Sequence, residues 1–145
     1  MKADAKAQEE DARRLREFAS FENFSDEDLQ RLVRAAVRTS TSGPWPLIHE
    51  GTPSHACYIL LSGEAGVYVG DDRIALVGPG EVIGESVLKR GKLRNATVTT
   101  TGPAVVLRIG RADLDRLVEE MPALRETMDA TVARRVPGAA TAEPD

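Results

Sequence analysis

Cysteine is nearly absent from this chain: Cys57 is the only one in 145 residues. A single thiol excludes an internal disulfide framework and a multi-cysteine zinc site. Long hydrophobic runs are missing as well, since nothing approaches the roughly 20 apolar residues needed to span a bilayer. The opening stretch, MKADAKAQEEDARR, has no apolar core of a secretory signal. Basic charge is not in excess. Nineteen Lys and Arg stand against 23 Asp and Glu, a formal net charge of −4, whereas a general nucleic-acid binder carries a basic face. Histidine is scarce too: His49 and His55 lie six apart with no third, short of the clustered ligands a metal enzyme built on a β-roll requires. The 41% hydrophobic and 29% charged fractions are those of a folded globular chain, which excludes wholesale disorder. One soluble, cytoplasmic, single-domain protein is the expectation.

Three changes of texture divide the chain. Residues 1–17 carry balanced charge and almost no apolar stripe before Leu15 and Phe18, so they form a helical or frayed extension docked only at its end. Ser25-Asp26-Glu27-Asp28 follows the capping pattern, with Ser25 as N-cap and Asp28 at the third helical position. Leu29, Leu32, Val33 and Ala36 then predict a helix over 25–37. From Gly43 to Ile109, short apolar runs alternate with glycines: Tyr58–Leu61, Ala65–Val69, Ile74–Val77, Ala96–Thr100 and Val105–Ile109. Closely spaced short strands with glycine turns predict an all-β sandwich or barrel, and Gly70-Asp71-Asp72 reads as a hairpin tip. Leu114, Leu117, Val118 and Met121 return to helical spacing. After Pro122, Leu124, Met128 and Val132 make a second stripe. Residues 136–145 predict a disordered tail.

The chemistry concentrates in one segment, Gly78-Pro79-Gly80-Glu81-Val82-Ile83-Gly84-Glu85-Ser86-Val87-Leu88 followed by Lys89-Arg90-Gly91-Lys92-Leu93-Arg94-Asn95-Ala96. Between 85 and 94 it holds four cations and one anion, Glu85, inside an acidic chain. Glycines let backbone N–H groups approach a ligand unobstructed. A helical turn after Gly84-Glu85 would aim free N–H groups at an anion. Arg94 can form a charge-assisted, bidentate contact with a phosphate, and an ionised Glu85 can accept from a sugar hydroxyl. These residue types describe a pocket for a small phosphorylated, sugar-containing ligand. Lys89, Arg90 and Lys92 read as a solvated face that attracts anions at long range.

This segment resembles the phosphate-binding cassette of the cyclic-nucleotide-binding domain family, which includes catabolite activator proteins and regulatory subunits of cAMP-dependent protein kinase. Ile83-Gly84-Glu85-Ser86-Val87-Leu88 and Leu93-Arg94-Asn95-Ala96 carry the likeness. Phe24-Ser25, Ile48-His49-Glu50-Gly51, Tyr58–Gly63 and Leu107-Arg108-Ile109 extend it over about residues 18–135. The resemblance implies a mainly β fold with flanking helices: a double-stranded β-helix (jelly-roll), an N-terminal helix and a C-terminal helix pair. It also implies site roles. Arg94 would pair with the exocyclic phosphate oxygens, Glu85 with the ribose 2′-hydroxyl, and the amides of Ser86, Val87 and Ala96 with phosphate and ribose. Gly84 would hold the turn open, and Met128 or Val132 would supply an apolar lid over the base.

The chain departs from the family pattern at three positions. Leu93 replaces a proline and Ser86 an apolar residue. Asn95 stands where the residue often tracks base preference; its amide can donate or accept and does not choose between adenine and guanine. The expected function is a non-catalytic cyclic-nucleotide sensor or regulatory module, with cAMP expected ahead of cGMP and no further cofactor. The rival is an interaction protein that keeps the fold with weak or lost nucleotide binding. The acidic balance and the lack of a bilayer-spanning run mean that direct nucleic-acid and membrane partners are not expected; no helix-turn-helix pattern follows Pro137, so output would pass through a protein effector or a further domain.

Overall fold

Ser25 begins a helix as its spacing predicts: the Asp28 N–H donates to Ser25 Oγ at 3.0 Å and the Ser25 N–H donates to Asp28 Oδ2 at 3.4 Å, closing the capping box. The computed structural model describes residues 2–51, 55–83 and 96–128. Its elements run α1 (Lys2–Arg16), a 3-10 turn (Ala19–Phe21), α2 (Asp26–Ala35), β1 (Val37–Thr41), β2 (Pro46–Ile48), β3 (Ala56–Ser62), β4 (Ala65–Val69), β5 (Asp72–Val77), β6 (Val82–Ile83), β7 (Thr97–Thr100), β8 (Ala104–Gly110) and α3 (Arg111–Glu120). A further helix, α4, covers 122–128. Replacing Ser25 by alanine is expected to lower unfolding stability by about 1 kcal/mol. Urea denaturation checks this, and an unchanged midpoint would contradict it.

The strands form two four-stranded sheets in the orders β1-β8-β3-β6 and β2-β7-β4-β5, with every described pairing antiparallel. This is the two-sheet roll with flanking helices that the sequence leads one to expect. The first sheet is covered on both faces. Cys57, Ile59 and Leu61 of β3, Val82 of β6, and Leu107 and Ile109 of β8 pack against the helices. Leu60, Ile83, Ala104 and Val106 point the other way, meeting Ile48, Ala65, Val77 and Val98 inside the roll. Burial on both faces explains why Tyr58–Leu61 reads as a continuous apolar run rather than an alternating one.

The helical layer draws from both ends of the chain. Ala12 and Leu15 of α1, Phe21 and Phe24, Leu29, Leu32 and Val33 of α2, Leu114 and Leu117 of α3, and Leu124 and Met128 of α4 share one core. Polar contacts tie it together: Arg16 to Asp26 at 2.7 Å, Arg31 of α2 to Glu120 of α3, and the Thr127 hydroxyl donating to the Ser20 carbonyl at 2.9 Å. The charged N-terminal segment is helical and docks through its last turns, where Asp11 is buried and accepts from Arg38 Nε of β1 at 3.0 Å.

Two expectations need correction. The helix expected over 25–37 ends at Ala35, because Val37 already pairs with Arg108 as the first residue of β1. The β region therefore starts at Val37 rather than Gly43. Its first strand, Val-Arg-Thr-Ser-Thr, is exposed at four of five positions, so it carries no hydrophobic alternation to reveal it.

Candidate ligand-binding site

The residues singled out from the sequence lie in the chain between β6 and β7. β6 ends at Ile83 on the edge of the first sheet, and β7 begins at Thr97 inside the second. The chain from 84 to 95 connects them. Gly84, Glu85, Ser86, Val87, Arg94 and Asn95 lie outside the described residues, as does Val132. Ala96 is described and is buried at the start of β7.

The structure does describe the strands of the roll around the ends of β6 and β7. On β4, Val67 packs toward the roll interior, and its register partner on β5 is Ala75. The register shifts between Val67 and Tyr68, leaving Ile74 as an extra residue on β5. A bulge of this kind sets two residues against one and bends the strand. Along β5, Val77 is buried, whereas Ala75 is exposed and Ile74 is 37% exposed. The packed interior thus gives way to an open apolar wall at the Val67–Ala75 end. Across from it, Tyr58 of β3 pairs with Ile83 of β6, and both lie on the roll side of the first sheet. Apolar walls converging with a few polar groups are the usual setting of a small-molecule site.

Polar anchors brace the same end. The Glu50 N–H donates to Thr97 Oγ1 at 3.0 Å, and Glu50 Oε1 accepts from the Gly70 N–H at 3.0 Å. The start of β7 is thereby joined to the β4–β5 hairpin tip, where Gly70 holds φ +61°. The first sheet contributes a row across three strands, Val37, Arg108 and Tyr58, adjacent in register. Arg108 is exposed there and shares the roll-side face with Val106. Sequence reasoning missed Val67, Ile74, Ala75 and Arg108. Apolar or isolated charged residues in strands carry no chemical signature, and the bulge has no marker in the run Ile74-Ala75-Leu76-Val77.

Met128, named as a lid residue, is 1% exposed and belongs to the helical core with Leu15, Phe21 and Leu124. The first sheet stands between that core and the roll interior. Any lid role would need Met128 to leave this cluster. His49 and His55 are exposed, and among the described residues no three His, Cys, Asp or Glu are placed to hold a metal ion. No helix among the described residues is long and apolar enough to cross a membrane.

The fold is a two-sheet antiparallel β-roll with flanking helices, and the sequence that connects β6 to β7 is cationic. The family model for the cyclic nucleotide-binding domain matches residues 46–121, more than half of the chain; the chain belongs to that family. It is 33% identical over 87 residues to a cAMP-dependent protein kinase regulatory subunit of Hypocrea atroviridis, covering 59% of this chain and 19% of that protein. It is 32% identical over 98 residues to a cGMP-dependent protein kinase of Toxoplasma gondii, covering 68% of this chain and 10% of that protein. The chain thus spans less than a fifth of these relatives' lengths. The solved structure of PKAR CBD2 with Sp-2Cl-cAMPS bound superposes with a TM-score of 0.81 at 18% identity, covering 95% of this chain and 92% of that one. At that identity the likeness is one of fold.

Proposed function

We propose that this chain is a non-catalytic regulatory module that binds a cyclic nucleotide, cAMP in preference to cGMP, through the residues of 84–96 and the apolar side chains of the β4–β5 hairpin. The observation that carries the reading is that the Gly84-Glu85 and Arg94-Asn95-Ala96 motifs occur in the sequence between β6 of one sheet and β7 of the other, in a roll whose β4–β5 hairpin leaves apolar Val67 and Ala75 incompletely covered. Arg94 pairs with the cyclic phosphate, and the Ser86, Val87 and Ala96 amides complete the anion contacts. Glu85 accepts from the ribose 2′-hydroxyl, and the base lies against Val67, Ile74 and Ala75. Binding favours one arrangement of the connection and the helices after the roll, and the difference in affinity between arrangements sets the population. A protein effector or a further domain reads that population.

Calorimetric titration of the folded protein tests the proposal. Saturable heat at submillimolar cAMP, with cGMP weaker, is expected. The analogue 2′-deoxy-cAMP should bind roughly tenfold or more weakly, since an unpartnered buried carboxylate costs about 1–3 kcal/mol. Tighter binding of cGMP would reverse the base assignment, and no heat with either nucleotide would leave the chain an interaction protein on the same fold.

A further inference from the structure

We infer that Glu50 is a positioning residue for the β4–β5 hairpin, its side chain standing in for a strand where β7 has not yet begun. In the order β2-β7-β4-β5, β7 lies between β2 and β4. Ile48 of β2 pairs with Val98, and Thr97, the first residue of β7, pairs with Tyr68 of β4. Before Thr97 the chain bends at buried Ala96, so among the described residues β7 offers β4 no partner past Tyr68. The continuations of β2 and β4 are left there at twice the strand spacing of about 4.8 Å. Glu50 crosses that gap. Its N–H donates to Thr97 Oγ1 at 3.0 Å, which fixes its backbone beside β7, and its Oε1 accepts from the Gly70 N–H at 3.0 Å.

The far end of the hairpin has little else to hold it. β5 is the edge of its sheet and pairs with β4 among the described strands. The register shift between Val67 and Tyr68 leaves Ile74 as an extra residue, and such a bulge is where a strand bends. Past it lie two rungs, Tyr68–Arg73 and Val69–Asp72, and then the turn at Gly70 and Asp71. Glu50 pins that turn. Ile74 and Ala75 of β5 therefore lie between a braced tip and a root buried at Val77. What this does for a nucleotide rests on the function proposed above. A braced tip presents Ile74 and Ala75 in place before the base arrives, so binding need not order the hairpin.

Glu50→Ala removes the carboxylate and leaves the backbone bond to Thr97 available; Glu50→Gln keeps an acceptor oxygen and removes only the charge. In nucleotide-free Glu50→Ala, the backbone order parameters of Gly70 and Asp71 should fall from about 0.85 to below about 0.6, the values of rigid and flexible backbone. They should recover in Glu50→Gln, with Ala65 and Val98 unchanged throughout. The dissociation constant for cAMP should rise about three- to tenfold in Glu50→Ala, the span of one hydrogen bond, and recover in Glu50→Gln. A tip that stays rigid in Glu50→Ala overturns the inference. Loosening that spreads equally to Ala65 and Val98 also overturns it, because it reports general destabilisation. Unchanged affinity beside a loosened tip, or affinity lost equally in Glu50→Gln, would each remove the positioning role, the first leaving a structural brace and the second a charge effect. Should the wild-type protein bind no cyclic nucleotide, the proposed function falls, and the order parameters alone decide whether Glu50 holds the hairpin.

Discussion

An Arg94→Ala variant is expected to keep its melting temperature without nucleotide and to lose cAMP affinity by about 10- to 150-fold. The range is that of one charge-assisted contact, about 1.5–3 kcal/mol, at about 1.4 kcal/mol per tenfold. Among the described residues, both buried clusters are built from apolar residues of the two sheets and the helical layer. Arg94→Lys should lose most of the same affinity, since an ammonium keeps the charge but not the planar fork that grips two phosphate oxygens. Calorimetry on the three proteins reads the effect. Equal affinity in all three would remove Arg94 from the site.

The largest expected effect on stability belongs to Gly63→Ala. Gly63 turns β3 into β4 at φ +88°, and a Cβ there would stand 2.6 Å from the Pro103 carbonyl oxygen and 2.8 Å from Ala104 Cα. Left-handed backbone costs a non-glycine residue about 1–2 kcal/mol. The clash is with backbone at the start of β8, the central strand between β1 and β3, and it cannot be relieved by a side-chain rotation. A loss of about 3 kcal/mol or more is expected, in the range of severe overpacking. Gly70→Ala supplies the contrast. Gly70 also has positive φ, +61°, but nothing lies within 4 Å of its added Cβ, so only the backbone term of about 1–2 kcal/mol applies. Chemical denaturation of the pair separates strain from clash. Equal losses would show that the approach of Pro103 costs nothing.

That pair also shows how far a sequence can be read. Both glycines stand between strand-like runs and announce turns equally; the close approach of Pro103 and Ala104 to Gly63 is a tertiary fact absent from either local pattern. β3 and β8 were legible because burial on two faces makes continuous apolar runs. β1 was hidden because Arg38 faces Asp11 of α1 while most of the strand is exposed. The docked end of α1 was legible in Leu15 and Phe18, but the close approach of the Phe18 ring to Gly80 was not, since nothing in sequence links positions 18 and 80. The chemistry proposed for the site rests on the sequence alone, since Glu85 and Arg94 lie outside the described residues. Its apolar wall at Val67, Ile74 and Ala75 depends on a strand irregularity and came only from the structure.

Heteronuclear NMR of the uniformly labelled protein titrated with cAMP puts the central claim to its most direct test. The account predicts saturable shifts at Val67, Ile74, Ala75, Ile83 and Ala96, with the Ser25-capped start of α2 and the exposed face of β1 unmoved. Shifts confined to the helical layer or to β1, with Val67, Ala75 and Ala96 silent at saturation, would contradict a nucleotide held between the two sheets.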